Sequence, residues 1–172
     1  DNFVYSVRND GTVSITDYVG SATEIVIPSK IDGRPVTEIG FYGISADSDI
    51  YKNILSVTIP STVTKIDKKA FRFFKSLEDI KVDDNNTKFT DKLEYVNDIF
   101  IPGILVSKDG TDLYCLPSKY PCWAFDIPKQ IDYVEDYAFY NCRFLIYLSV
   151  DHPVTYGGTD IINKTNDVLK IH

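Results

Sequence analysis

The sequence predicts an α/β repeat architecture: a short right-handed solenoid, strand-dominated, with brief helical turns and an inserted β-hairpin. Three observations carry this reading. Ile54-x-x-Val57-x-Ile59, Leu77-x-x-Ile80-x-Val82 and Leu145-x-x-Leu148-x-Val150 share one apolar pattern, and the first two begin 23 residues apart. Ile27-Pro28, Ile59-Pro60 and Ile127-Pro128 each close a strand-like run. The phase also agrees across a 68-residue separation. Ile59 to Leu77 and Ile127 to Leu145 are both 18 residues, and Pro60 to Ala70 and Pro128 to Ala138 are both 10.

Each element follows from local chemistry. Residues 1–22 are expected to form an N-terminal capping hairpin. Phe3, Tyr5 and Val7 alternate, as do Val13 and Ile15, and Asp10-Gly11 between them tolerates positive φ. Such a hairpin covers the end of a stack that otherwise leaves apolar side chains wet. Residues 23–82 carry the first repeats. In Leu-x-x-Ile-x-Val the last positions alternate, so Ile and Val point inward and the residue between them outward. Proline then stops the strand, having no N–H for the ladder. Val63-Thr-Lys-Ile66 turns the chain. Asp67–Phe74 and Glu135–Cys142 read as short helical turns with acids near their start. The first copy is looser, with Asp32-Gly33-Arg34-Pro35 as an added turn and Ala46-Asp47-Ser48-Asp49 as a surface loop. Residues 83–121 are an insertion holding the hairpin, 122–150 resume the repeats, and 151–172 close the stack as a C-terminal cap. The whole is a single domain of about four or five coils, since no such unit buries its apolar face alone.

A period of 23 falls within the 20–29 range of leucine-rich repeats. Val57-Thr-Ile-Pro-Ser-Thr-Val-Thr-Lys-Ile66 and Tyr137-Ala-Phe-Tyr-Asn-Cys142-Arg-Phe-Leu145 closely resemble the BspA-like, or treponema-pallidum-type, leucine-rich repeats. The resemblance covers nearly the whole chain, including Phe3–Ile15, Ile31–Ile39, Gly103–Leu113 and Tyr156–Thr159. There are departures: Phe74 stands where the family has Cys, Asp67 replaces the usual Gly, and Lys92–Ile101 and Asp160–Ile171 have no placed counterpart. The resemblance implies a right-handed leucine-rich-repeat solenoid. It also implies a non-catalytic interaction or adhesion module of a secreted or cell-surface bacterial protein.

Composition narrows the alternatives. Length 172, with 44% hydrophobic and 25% charged residues, suits a folded domain rather than a disordered or fibrous chain. An excess of 25 acids over 18 bases repels phosphate backbones, so nucleic acid is not an expected partner. No apolar run reaches the roughly 18 residues of a membrane span. The absence of methionine reads as the mark of a processed chain cut from a longer exported protein.

Catalytic chemistry finds little support. His152 and His172 are the only histidines, and both read as surface residues. No nucleophile-elbow, phosphate-loop or zinc-helix motif occurs, so no enzyme activity, metal or cofactor is expected. Asp83, Asn85, Thr87, Asp91 and Glu94 have calcium-loop spacing, but Lys88 stands where the sharp turn needs Gly, and a solvated polar loop is the default. Cys122 and Cys142 occupy inward repeat positions and read as small core hydrophobes, with a Cys115–Cys122 disulfide as the alternative. Asn85-Asn-Thr87 and Asn163-Lys-Thr165 match the glycosylation pattern, read as chance occurrences in polar loops.

The stronger functional candidate is a surface. The outward residues of the repeat strands are expected to line a concave face. Leu55, Trp123, Ile146 and Tyr147 on it are larger and more apolar than a solvated face requires, with Glu78 and Lys81 beside them. These six are the candidate ligand-binding residues, for an extracellular protein or a glycan. Two alternatives stand beside this reading. The residues pack under the 83–121 insertion or a flanking domain, or the chain is a structural spacer or self-assembly module.

Overall fold

The computed structural model describes residues 2–41, 49–96, 99–162 and 170–171. Two rows of short strands run along the stack, because each repeat contributes two strand-like segments. The N-terminal hairpin pairs β1 (Phe3–Val7) antiparallel to β2 (Val13–Tyr18), with Tyr5 opposite Ile15 and Val7 opposite Val13. Its turn uses Gly11 at φ 82°, a conformation that costs glycine nothing. The Asp10 carboxylate fixes the turn by accepting the Thr12 N–H at 3.0 Å and the Thr12 hydroxyl at 2.7 Å.

The chain continues through β3 (Glu24–Val26), β4 (Lys30–Ile31) and β5 (Arg34–Ile39). β5 runs parallel to β2, so the hairpin extends the second row and covers its end. Next come α1 (Asp49–Lys52), the only α-helix among the described residues, then β6 (Ser56–Ile59), β7 (Lys65–Ile66) and β8 (Asp79–Val82). β3, β6 and β8 form a parallel sheet in which Ile25, Val57 and Ile80 share one inward row. Val63–Ile66, expected only to turn the chain, instead ends in a strand, with Ile66 opposite Ile39. Stacked coils bring successive backbones to strand spacing, and pairing satisfies N–H and C=O groups that burial would otherwise orphan.

β9 (Phe89–Val96) pairs antiparallel with β10 (Ile99–Ser107) and takes in part of the unplaced Lys92–Ile101 stretch, whereas the hairpin expected over Gly103–Leu113 is formed by β10 with the strand that follows it. β10 also pairs antiparallel with β11 (Asp112–Cys115). Five short strands complete the order: β12 (Ala124–Asp126), β13 (Tyr133–Val134), β14 (Tyr147–Ser149), β15 (Thr155–Tyr156) and β16 (Lys170–Ile171). β11, β13 and β15 run parallel in the second row, and β12, β14 and β16 in the first. Each row is therefore interrupted once, where the hairpin enters.

The turns after the second-row strands are single loops of i to i−3 hydrogen bonds rather than helices. Ala70 donates to Asp67 at 2.9 Å and Phe74 to Phe71 at 3.1 Å, and Ala138 donates to Glu135 at 3.1 Å. Most inward repeat positions are enclosed, among them Ile54, Val57, Ile59, Leu77, Ile80 and Leu145, whereas Cys122 and Val150 are partly buried. Phe74, in place of the family's Cys, is the hub of an aromatic cluster. Its ring lies 5.2 Å from Phe41, 5.2 Å from Tyr51 and 5.5 Å from Phe71.

Polar ties cross the interruption between the two halves. Ser118 Oγ donates to the Phe74 carbonyl at 2.6 Å, Asn141 Nδ2 to the Arg72 carbonyl at 2.8 Å, and Lys68 pairs with Asp136 at 3.1 Å. At the mouth of the insertion, Gly103 holds φ 85°, and a Cβ there would come within 2.6 Å of Asp79 Oδ1.

Candidate interaction face

The strand pairing sorts the six sequence-derived residues into two groups. Lys81 lies in β8, with Leu55 and Glu78 immediately before β6 and β8 of the first sheet, whereas Tyr147 lies in β14, with Trp123 and Ile146 immediately before β12 and β14 of the second. The two groups are therefore not on one continuous sheet. In the first group, the Glu78 N–H bonds the Leu55 carbonyl at 2.8 Å, and Lys81 lies 3.8 Å from Asp79. Leu55 is half-buried, while Glu78 and Lys81 are exposed. The insertion approaches this sheet at Asp79, against Gly103, and the Tyr120 hydroxyl reaches the Pro102 carbonyl at 3.1 Å.

The second group is brought together. Both the Ile146 and the Tyr147 N–H bond the Trp123 carbonyl, at 2.8 and 3.0 Å. The Trp123 and Tyr147 rings meet edge to face, with centroids 5.7 Å apart and planes at 77°. That geometry sets the positive edge of one ring against the negative face of the other. Trp123 is nonetheless 65% exposed, so Tyr147 steadies the indole without covering it. Phe144, in the turn before β14, is also 55% exposed, an apolar residue that the repeat pattern did not single out. Its position just before the inward Leu145 falls in the turn, where alternation gives no signal.

Alongside the aromatic pair runs a polar row. Ala124 stands opposite Tyr147 and Asp126 opposite Ser149, so the same face turns from aromatic to polar along the strands. The Ser149 hydroxyl donates to the Asp126 carboxylate. Beyond them lies a cleft of about 550 Å³ that also involves Lys129, Gln130 and Asp151. Lys129 pairs with Asp151 at 3.3 Å. Hydrogen bonds from His152 and Lys129 hold the Asp151 carboxyl below its ordinary range. His152 is not a simple surface residue: its ring sits 3.2 Å from Asp151 and 2.9 Å from the Ile131 carbonyl.

The remaining candidates resolve as follows. Of the calcium-spaced run, the Asp83 carboxylate accepts from the Asn85 N–H at 2.8 Å and from its Nδ2 at 3.1 Å, and beside it Asp84 pairs with Lys92 at 2.6 Å. Among the described residues, no group of three or more His, Cys, Asp or Glu is arranged to hold a metal ion. All three cysteines are free thiols, so the Cys115–Cys122 alternative is not formed. Burial pushes Cys115 up to about 12 and raises Cys142 and Cys122 as well, which keeps them protonated and unreactive. Ala46–Ser48, Asn163–Thr165 and His172 lie outside the described residues. No helix among the described residues is long and apolar enough to cross a membrane.

The sequence profile of the BspA type leucine rich repeat region matches residues 43–95 and 112–172, in six copies. The chain belongs to this family. Six copies exceed the four or five coils expected from the clearest motifs. A comparison with curated protein sequences gives no match. Among solved structures, the pneumococcal vaccine antigen PcpA is similar over 81% of this chain and 33% of its own, at 18% identity and a TM-score of 0.55. A leucine-rich repeat protein from Eubacterium ventriosum ATCC 27560 is similar over 99% of this chain and 71% of its own, at 16% identity and a TM-score of 0.53. The T. pallidum leucine rich repeat protein is similar over 99% and 61%, at 17% identity and a TM-score of 0.45. At these identities the likeness is one of fold, and this chain spans only a third of the length of PcpA.

Proposed function

We propose that this chain is a non-catalytic interaction or adhesion module of a secreted or cell-surface protein. It binds an extracellular protein or glycan through the concave face formed by its first-row sheets. The observation that carries the reading is the exposed indole of Trp123, braced by Tyr147 and left 65% open to solvent. Large aromatic side chains held rigid at a surface make effective contact anchors, since little conformational entropy remains to be lost on binding. Leu55, Glu78, Lys81 and Ile146 form the outer part of the contact. Membership in a repeat family whose coils present surface rather than enclose a catalytic pocket supports the non-catalytic reading. The fold likeness to a vaccine antigen supports placing the module outside the cell.

The test is binding of the purified chain to panels of extracellular-matrix proteins and glycans, beside a W123A/Y147A variant. Wild type is expected to capture a ligand, and the double variant to lose about tenfold or more in affinity, as removal of an aromatic hot spot does. Full binding by a folded double variant would remove this face from the function.

A further inference from the structure

We infer that the second sheet binds a neutral oligosaccharide, with Trp123 and Tyr147 as its stacking platform and the Asp126–Ser149 cleft as its polar subsite. The inference rests on the interaction reading above and narrows it to one ligand class.

A sugar ring offers two different surfaces. Its face carries C–H bonds that pack on an aromatic ring, and its rim carries hydroxyls that both donate and accept. The β12–β14 face provides both surfaces in sequence. The aromatic pair comes first, and a carboxylate and a hydroxyl follow, Asp126 three residues after Trp123 and opposite Ser149, two residues after Tyr147. The two hydrogen-bond to each other. An ionised carboxylate offers about four acceptor sites and a serine hydroxyl both donates and accepts, so the pair can also serve vicinal hydroxyls. Lys129 and Asp151, 3.3 Å apart across the cleft, add a donor and a further acceptor.

Size and charge narrow the ligand. A cleft of about 550 Å³ is on the scale of small-molecule sites. Tyr147 and Ser149, two residues apart on β14, are about 7 Å apart along the strand, roughly the repeat of a pyranose chain, so one unit stacks on the aromatic pair while the next enters the cleft. A monosaccharide fills only one subsite. Asp126 and Asp151 face a single Lys129 in the cleft, and the chain carries a net charge of −7. Sulfated or sialylated glycans are therefore repelled, and neutral ones are not.

Trp123 is the only tryptophan in the chain, so emission excited at wavelengths that tyrosine does not absorb reads this site alone. The experiment titrates the protein with an array of neutral oligosaccharides, their monosaccharides and heparin. It records emission wavelength and protection from acrylamide quenching. A neutral oligosaccharide is expected to shift Trp123 emission to shorter wavelength, saturably, and to bind about tenfold or more tighter than its monosaccharide. D126N and S149A are each expected to weaken it by about tenfold, the scale of a lost hydrogen bond to a charged group, with the melting temperature unchanged. The inference is overturned if no neutral oligosaccharide moves the emission, if heparin alone does, or if both variants bind like wild type. Should an extracellular-matrix polypeptide move Trp123 instead, the glycan assignment falls and the interaction reading stands. Should neither class reach Trp123, with ligand capture surviving W123A/Y147A, both fall.

Discussion

Asn86 illustrates how much one polar residue can contribute between coils. Its side chain is 1% exposed and makes four hydrogen bonds. Its Nδ2 donates to the Pro60 and Val63 carbonyls, both at 2.9 Å, and its Oδ1 accepts from the N–H groups of Lys88 at 2.9 Å and Phe89 at 2.8 Å. Alanine there orphans buried backbone groups on two successive segments. N86A is expected to cost about 2–4 kcal/mol in urea unfolding, against about 0.5 kcal/mol or less for exposed N85A. Equal costs would show that the bonds are not retained in solution. By its sequence this stretch reads as a solvated polar loop, with Asn86 between the calcium-spaced Asp83, Asn85 and Thr87. Nothing in its local pattern announces a contact with residues more than twenty positions earlier.

At the scale of elements, the inward repeat positions were legible and the second-row strands were not. Ile54, Val57 and Ile59 are enclosed as alternation requires. Lys65–Ile66 and Tyr133–Val134 are too short for a period of two to show, and they become strands because the neighbouring coil offers a ladder. Phe74 and Phe139 are both fully buried in the turn that follows a second-row strand, Phe74 at the repeat position of Cys142 and Phe139 at that of Phe71. F74A is expected to cost about 3–5 kcal/mol, and F139A a similar amount. In a stack, each coil is stabilised chiefly by its neighbours. Hydrogen exchange should therefore rise most in β6 and β8 for F74A, and in β12 and β14 for F139A. Uniform acceleration over both sheets by either variant would show that the stack opens as one unit.

For the whole molecule, the two interrupted rows meet at the insertion, where β11 carries Tyr114 and Cys115 side by side. Burial, with Asp112 and other nearby acids, raises Tyr114 from 10.0 to about 12, and burial raises Cys115 from 9.0 to about 12. Both groups hold their protons longer in the folded chain than in the unfolded one. Their stabilising contribution is complete below about pH 9 and is lost as pH rises towards 12. The melting temperature is expected to be steady from pH 7 to 8.5 and to fall above pH 9, with a shallower fall in Y114F/C115A. An identical alkaline slope in that variant would place the cause in other groups.

The sequence by itself determined the repeat, its inward face and the N-terminal hairpin, because those depend on spacing along one strand. It also singled out Trp123 and Tyr147, which the fold brings into edge-to-face contact. Only the tertiary structure decided that Leu55, Glu78 and Lys81 lie on a different sheet from that pair, since the break in the row depends on how the hairpin inserts. It likewise decided that Asp126 meets Ser149, 23 positions away. Such a pairing depends on the register of one coil against the next, and register is set by packing between coils rather than by any pattern within one.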